Sequence, residues 1–559
     1  MKRLSIIFIS IITLASCANI KAPTGGEKDK TPPKIDSTKI FTPNFKTNFT
    51  DKEIVLPFDE WVVLNDVLNQ VVVSPPLEKP IDMTLKKRTV VIDLSEETLR
   101  ENTTYTINFG ESIKDLNEGN VPQNFRYILS TGDVIDSLEV NGNVIDALTE
   151  APIEDILVVL YDDLTDSVVH KERPYYFSKT DENGRFNIPF IKQDTFKIFA
   201  LKDENANYKY DAENEQIAFS NEFIITGDTL SKSVTLRFFQ EKPSLRTFRP
   251  KSPHYGYIPI IFTADNLENV KFNLLSSVPI PLDTLGNTRQ QNDSLESLIY
   301  TEKDTLKYWY RNVELDSVDI VVFDNQTLRD TFSIKLDTKA NYLKTNPKVW
   351  MKTQKEAANI NPDQKITLTF NRPIVRIDES RILLFEDSIL TTNLPQFTID
   401  SAQKNIVYFT YKWKEKKFYD LVFADSSLFD FHQITNDTLR TRYLVEERKK
   451  FGNITATASG LEATKAYIIQ ILTEENVVVD EFYATGTTKA KQQFLSLKPQ
   501  SYKLRVVIDE NMNQVWDTGD YPNTQPERVI LAKETSNLRP NWELDLTIEL
   551  TPQGVEKKQ

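Results

Sequence analysis

Apolar side chains in this chain recur at every second position, and that spacing decides what it can fold into. Ile54, Leu56 and Phe58 share one face of an extended segment, as do Val90, Ile92 and Leu94, and then Tyr105, Ile107 and Phe109. Polar residues fill the places between in the last run, the period-2 pattern of a half-buried strand. Pro75-Pro76 and Asn102-Thr103-Thr104 interrupt the runs as turns. Phe and Tyr are abundant (32 and 21) and Gly is scarce at 15, which suits strands better than helix bundles. The chain is therefore predicted to be all-β, and its 559 residues call for several domains.

The last third repeats the first. Lys365-Ile366-Thr367-Leu368-Thr369-Phe370-Asn371 parallels Glu53-Ile54-Val55-Leu56-Pro57-Phe58-Asp59. Phe418 to Phe423 parallels Thr104 to Phe109, and Tyr502 to Asn513 matches Phe196 to Asn207. The expected organisation is a duplicated pair of sandwiches around a central β-domain, with modules at 34–133, 134–240, 241–340, 341–447 and 448–552. Residues 17–33, with Gly25-Gly26 and Pro32-Pro33, read as a flexible tether.

The N-terminus supplies an address. Lys2 and Arg3 precede an apolar run from Leu4 to Leu14, and Leu14-Ala15-Ser16-Cys17 reads as a lipobox. The run is shorter than the roughly 20 apolar residues a spanning helix needs. Residues 1–16 are thus expected to be a signal peptide, leaving Cys17 as a lipidated N-terminus and a palmitate-labelled membrane anchor. Cys17 is the only cysteine, so no intramolecular disulfide is available and each module stands on its own core. Ala18 follows it and the first acids are Glu27 and Asp29, which points to the outer membrane and favours its periplasmic face.

Leu99-x-x-Asn102-Thr103-Thr104-Tyr105-Thr106-Ile107, Asp115-x-x-x-Gly119-Asn120 and Phe125-x-Tyr127-x-x-Ser130-Thr131-Gly132 together resemble the bacterial Ig-like domain of the SbsA type. In that resemblance Tyr105 takes the place of a tyrosine corner, and Asp115 to Asn120 is a left-handed turn. Val140-x-Gly142-x-Val144-x-Asp146-Ala147, the strand from Pro152 to Tyr161 and the hairpin Asp181-Glu182-Asn183-Gly184 resemble transthyretin-like or carboxypeptidase-regulatory-like domains, with Asn-Gly supplying positive φ. The fold expected is tandem Ig-like and transthyretin-like β-sandwiches. The whole is similar to envelope lipoproteins of Bacteroidetes, a resemblance that brings no catalytic residues with it.

The repeated loop is the best candidate for chemistry. Asp203, Asn205, Asn207 and Asp211 keep the same spacing as Asp509, Asn511, Asn513 and Asp517. Alternating oxygen side chains on a tight loop can converge on calcium, the one cofactor the sequence suggests. Position six, a glycine in the best-known calcium loops, is Tyr208 or Gln514, and position twelve is Asn214 or Asp520. Asp520 makes the second loop the stronger expected site. The competing reading is a pair of Asx turns.

Other chemistry is poorly supplied. His170, His254 and His432 lie far apart in sequence, without an HExxH motif, a nucleophile elbow or a phosphate loop. Net charge is −14, or −16 once Lys2 and Arg3 depart, which argues against a nucleic-acid partner. Aromatic groups at Trp61, Tyr175-Tyr176 and Tyr308-Trp309-Tyr310 raise a glycan platform as an alternative, weighed against plain core filling. Acid pairs such as Asp162-Asp163 occur by chance among 81 acids. The reading reached is a non-catalytic envelope scaffold with a protein partner. Its alternatives are a glycan binder or an accessory subunit of an outer-membrane assembly machine.

Overall fold

The computed structural model describes residues 29–550, apart from 124, 206, 212–213, 228–232, 264–266, 268–269, 276–295, 312–315, 325–326, 353–357 and 533; of 69 and 272–275 only the backbone is described. Cys17 and residues 1–16, the expected signal peptide, lie outside these residues. Two compact units are present, one of residues up to 144 with 152–236, the other of 145–151 with residues from 237 onward.

In the first unit, Glu53–Pro57, Thr89–Asp93 and Asp82–Lys86 form one antiparallel sheet. Val72–Ser74, Thr104–Asn108 and Arg126–Ser130 form another, and Val62–Leu64 pairs with Ile113–Asp115. The alternating residues face inward: Ile54, Leu56, Phe58, Ile92, Tyr105, Ile107 and Phe109 all belong to one buried cluster. Burying them is the main stabilising term, about 25 cal/mol per Å² of apolar surface. Asp115 Oδ1 accepts from the backbone N–H of Asn117, Glu118 and Gly119, and its Oδ2 from Asn120 at 2.7 Å; Gly119 sits at φ 78°. Residues 29–33 do not run free as a tether. Asn120 Nδ2 donates to the carbonyls of Asp29 (3.1 Å) and Thr31, and Pro33 is buried, so this end of the segment docks on the sandwich.

The next sandwich places Leu138–Asp146 between Arg185–Ile191 and Val234–Phe238. Its second sheet runs Tyr176–Lys179, Leu157–Tyr161, Thr195–Leu201, Ile217–Phe219. In the hairpin before Arg185 only Gly184 takes positive φ (69°), not Asn183. A Cβ there would lie 2.5 Å from the Val144 carbonyl, so glycine is required on two counts.

In the second unit, Tyr257–Ile261, Thr305–Arg311 and Glu296–Glu302 make one sheet, and Val270–Leu275, Ser317–Asp324 and Thr327–Lys335 another. Residues 366–445 then repeat the first sandwich strand for strand. Ile366–Thr369, Ile406–Thr410 and Gln396–Ile399 form its first sheet, and Ile374–Ile377 pairs with Leu428–Asp430. Ile382–Glu386, Phe418–Phe423 and Leu439–Val445 form its other sheet, extended at the edges by Ile389–Leu390 and by Ala358–Ile360, which runs parallel. Buried residues from Tyr255 to Val445 form one continuous core across these two modules. Residues 452–549 repeat the second sandwich in the same way: Lys489–Leu497, Gly452–Ser459, Glu543–Glu549 in one sheet and Val478–Thr485, Ala466–Thr473, Ser501–Asp509, Val529–Leu531 in the other.

The tyrosine corner is a recurring device. Tyr105 OH accepts from Arg100 N at 2.8 Å, Tyr419 OH from Lys414 N at 3.1 Å and Tyr467 OH from Glu462 N at 2.8 Å, always five residues upstream.

Candidate functional site

The two Asp-Asn loops leave equivalent strands, Thr195–Leu201 and Ser501–Asp509, and close in the same way. Asp203 Oδ1 accepts from Asn207 N at 3.1 Å and its Oδ2 from Tyr208 N at 2.7 Å; Asp509 does the same for Asn513 N (3.1 Å) and Gln514 N (2.8 Å). Asn205 and Asn207 donate their amide N–H to Asp211 at 3.1 and 2.8 Å, and Asn511 and Asn513 donate theirs to Asp517, both at 2.7 Å. The four predicted residues of each copy are therefore brought together. Tyr208 and Gln514 at position six lie at φ 66° and 65°, the left-handed conformation expected of glycine there.

Each ring is already closed by its own hydrogen bonds. The Asn oxygens face backbone N–H groups two residues on, as in Asx turns. A cation needs oxygen facing the carboxylates, so it would require both amides of a loop to turn over and release those N–H groups. Among the described residues no cluster of three or more His, Cys, Asp or Glu is placed to hold a metal.

The copies differ in charge. Lys242 Nζ lies 2.5 Å from Asp517 Oδ1. Burial raises the Asp517 carboxyl, yet hydrogen bonds from Lys242, Asn511 and Asn513 outweigh it and hold the group below its ordinary value. Asp520, expected to strengthen the second loop, is not part of the ring. Its carboxylate accepts from Asn523 Nδ2 at 2.8 Å within a turn that its own N–H closes on Thr524 O.

A buried glutamate behind each ring escaped the sequence analysis. Glu215 Oε2 accepts from Asp211 N at 2.9 Å, and Glu527 accepts from Glu510 N (2.9 Å) and Asp517 N (3.0 Å). Glu215 stands one place beyond the position inspected, and a longer insertion displaces Glu527 in the second copy. Burial, helped by Asp509 and Asp517, pushes the Glu527 carboxyl up.

The second site missed in the sequence joins the central β-domain to the module after it. Arg372, 4% exposed, donates from Nε to Asp430 Oδ2 at 2.5 Å and from Nη1 to the Tyr342 hydroxyl, while its Nη2 is 3.2 Å from His432 Nδ1. Asp430 Oδ1 accepts from His432 N (2.8 Å) and Ile434 N (2.6 Å). His432 Nε2 reaches the Tyr310 carbonyl at 2.8 Å, and the His254 ring stacks on Tyr342 at 4.6 Å. Histidines far apart in sequence thus share one cluster around Trp309, with ring centroids 5.9 and 5.8 Å from it.

Other sequence candidates separate. Tyr175, Tyr176, Tyr308, Trp309 and Tyr310 are buried core residues and offer no platform; only Trp61 is exposed. Asp162 pairs with Lys192 at 3.4 Å while Asp163 accepts from Thr165 N, so the two acids do unrelated work.

Residues 29–131 match the family of bacterial Ig-like domains. No curated protein matches the chain. Among solved structures, the S-layer protein SbsC (domains in residues 31–844) is similar at 9% identity and a TM-score of 0.15, with 91% of this chain and 68% of that one covered. The four N-terminal Ig domains of Dscam1 are similar at 10% identity and a TM-score of 0.17, covering 74% of this chain and 100% of that one. The I9–I11 tandem of titin gives 8%, 0.12, 54% and 99%. The chain is an all-β protein of tandem β-sandwiches that includes a bacterial Ig-like domain.

Proposed function

We propose that the chain is a lipid-anchored, non-catalytic scaffold and protein-interaction module of the cell envelope, held at the outer membrane through Cys17. The observation that carries this reading is the repetition of two sandwich frameworks strand for strand, with Ile389–Leu390 and Ala358–Ile360 added as edge strands in one copy. A repeated rigid framework presents loops and edges for recognition. The export signal and lipobox ahead of Cys17 support the anchoring, Ala18 supports the outer membrane, and the absence of acids before Glu27 and Asp29 supports its periplasmic face.

Affinity purification after mild detergent extraction tests it. A stoichiometric envelope protein should accompany the chain, and a barrel-assembly core among the recovered proteins would specify the partner. Retained polysaccharide with no protein would favour the glycan-binding alternative, and a turnover activity in the purified chain would overturn the non-catalytic assignment.

A further inference from the structure

Within the first unit, a cleft of about 770 Å³ lies between the two sandwiches. One wall is the outward face of the sheet containing Val72–Ser74, Thr104–Asn108 and Arg126–Ser130. The other is built from Tyr176–Lys179 and Arg185–Ile191. Phe177 N donates to Ser74 Oγ at 3.1 Å, and the Phe45 and Phe190 rings meet edge to face at 6.1 Å, so the walls are joined directly.

The charges along the cleft are unevenly spent. Lys179 is held by Asp155 at 2.7 Å. Asp181 Oδ1 is engaged by the N–H groups of Asn183 and Arg185. Arg126 and Arg185 have no carboxylate within ion-pair distance among the described residues, in a chain of net charge −14. Arg126 Nε is buried and has no hydrogen-bond partner. Buried donors are normally paired, so this guanidinium lacks an acceptor that planar carboxylate geometry would supply. Three of the bordering strands, Val72–Ser74, Tyr176–Lys179 and Arg185–Ile191, are edges of their sheets. An edge strand offers backbone groups to another extended chain.

We propose that this cleft receives an extended acidic peptide segment of a partner protein, with a glutamate or aspartate carboxylate held by Arg126 and Arg185. The assignment rests on the interaction-module reading above and names the chemistry of the partner. Val72, Phe177 and Phe186 line the cleft and suit the apolar residues that alternate with acids in such a strand.

Fluorescence anisotropy on the detergent-solubilised full chain tests it, with the labelled peptide Thr-Val-Glu-Val-Glu-Val-Thr as probe. The probe should bind. Arg126→Gln and Arg185→Gln should each weaken it roughly ten-fold, the loss expected for a bidentate charged contact. The peptide with glutamine for glutamate should be comparably weak, and Lys498→Gln, on the exposed surface of the last module, should change nothing. Should Arg126→Gln fail to fold, as judged by its melting profile, the exposed Arg185→Gln decides alone. Absence of binding at millimolar chain, equal affinity for the glutamine peptide, or indifference to both substitutions overturns the proposal. Oligogalacturonate competing as well as the peptide at equal charge overturns the peptide assignment. If the doubly substituted chain still retains its partner in affinity purification, the cleft assignment fails while the interaction-module reading stands.

Discussion

Lys242 Nζ lies 2.5 Å from Asp517 Oδ1, so an ammonium already neutralises the carboxylate that a cation in the second Asp-Asn loop would need. Asp211 in the first loop has no such lysine or arginine among the described residues; it accepts only from Asn205 and Asn207 amides. The expected ranking of the two loops is thereby reversed.

If calcium can turn over the Asn205 and Asn207 amides that close the first ring, millimolar calcium should raise the melting temperature of the full chain through that loop. Stabilisation by a ligand that binds only the folded state grows as RT ln(1 + [L]/Kd). Asp203→Ala with Asp211→Ala should remove most of the rise, and Asp509→Ala with Asp517→Ala little of it. Lys242→Gln should enlarge it by freeing the second ring. A melting temperature unmoved by calcium in every variant leaves the loops as turns and removes calcium from the account.

The Arg372–Asp430 pair predicts acid lability of the core shared by the central β-domain and its neighbour. Burial raises the Asp430 carboxyl, but hydrogen bonds and charge from His432 and Arg372 hold it below its ordinary value. Burial, with the nearby Arg372 charge, lowers the His254 imidazole. Among the described residues the titratable or charged groups facing this cluster include Tyr255, Tyr257, Tyr342, Arg372, Asp430 and His432. Both shifted groups bind protons more readily in the unfolded chain, so stability falls as pH falls. The His254 contribution is lost below about pH 6.5, and that of Asp430 only below about pH 4. Melting curves from pH 7.5 to 5 should slope downward, and His254→Phe should flatten that part. Equal slopes in the two proteins would refute the assignment. Arg372→Ala, which strands a buried carboxylate, should cost about 3–5 kcal/mol at pH 7.

The tyrosine corners predict a uniform small effect. Tyr105→Phe, Tyr419→Phe and Tyr467→Phe each remove one acceptor for a backbone N–H five residues upstream, and Tyr419→Phe also removes a long 3.2 Å bond from its hydroxyl to the Glu386 carboxylate, itself held by Lys414. Each should cost about 1 kcal/mol in denaturant unfolding of the full chain, since the ring and its packing remain. A near-zero value at all three would show that water replaces the hydroxyl without loss.

Much of this was legible in the sequence, for definable reasons. Ile54, Leu56 and Phe58 alternate strictly because one face of their strand is buried, and the second copy keeps the pattern at Ile366, Leu368 and Phe370. The Asp-Asn spacing survives duplication, so the rings are legible in the sequence itself. What could not be read is anything assembled from distant segments. Lys242 and Asp517 are 275 residues apart, and Arg372 meets Asp430 across 58. Tyr308, Trp309 and Tyr310 read equally well as platform or core, because consecutive aromatics do not say which faces are covered. Asn183 misled for a local reason: Gly184 alone absorbs the positive φ of that hairpin.

The central claim is that the chain works as a lipid-anchored envelope module, and the most direct test is radiolabelled palmitate incorporation with membrane fractionation. The wild-type chain should carry label and sediment with the outer membrane, while Cys17→Ala should lose the label and remain unprocessed or soluble. Label persisting on Cys17→Ala, or an unlabelled and soluble wild-type chain, would contradict the account.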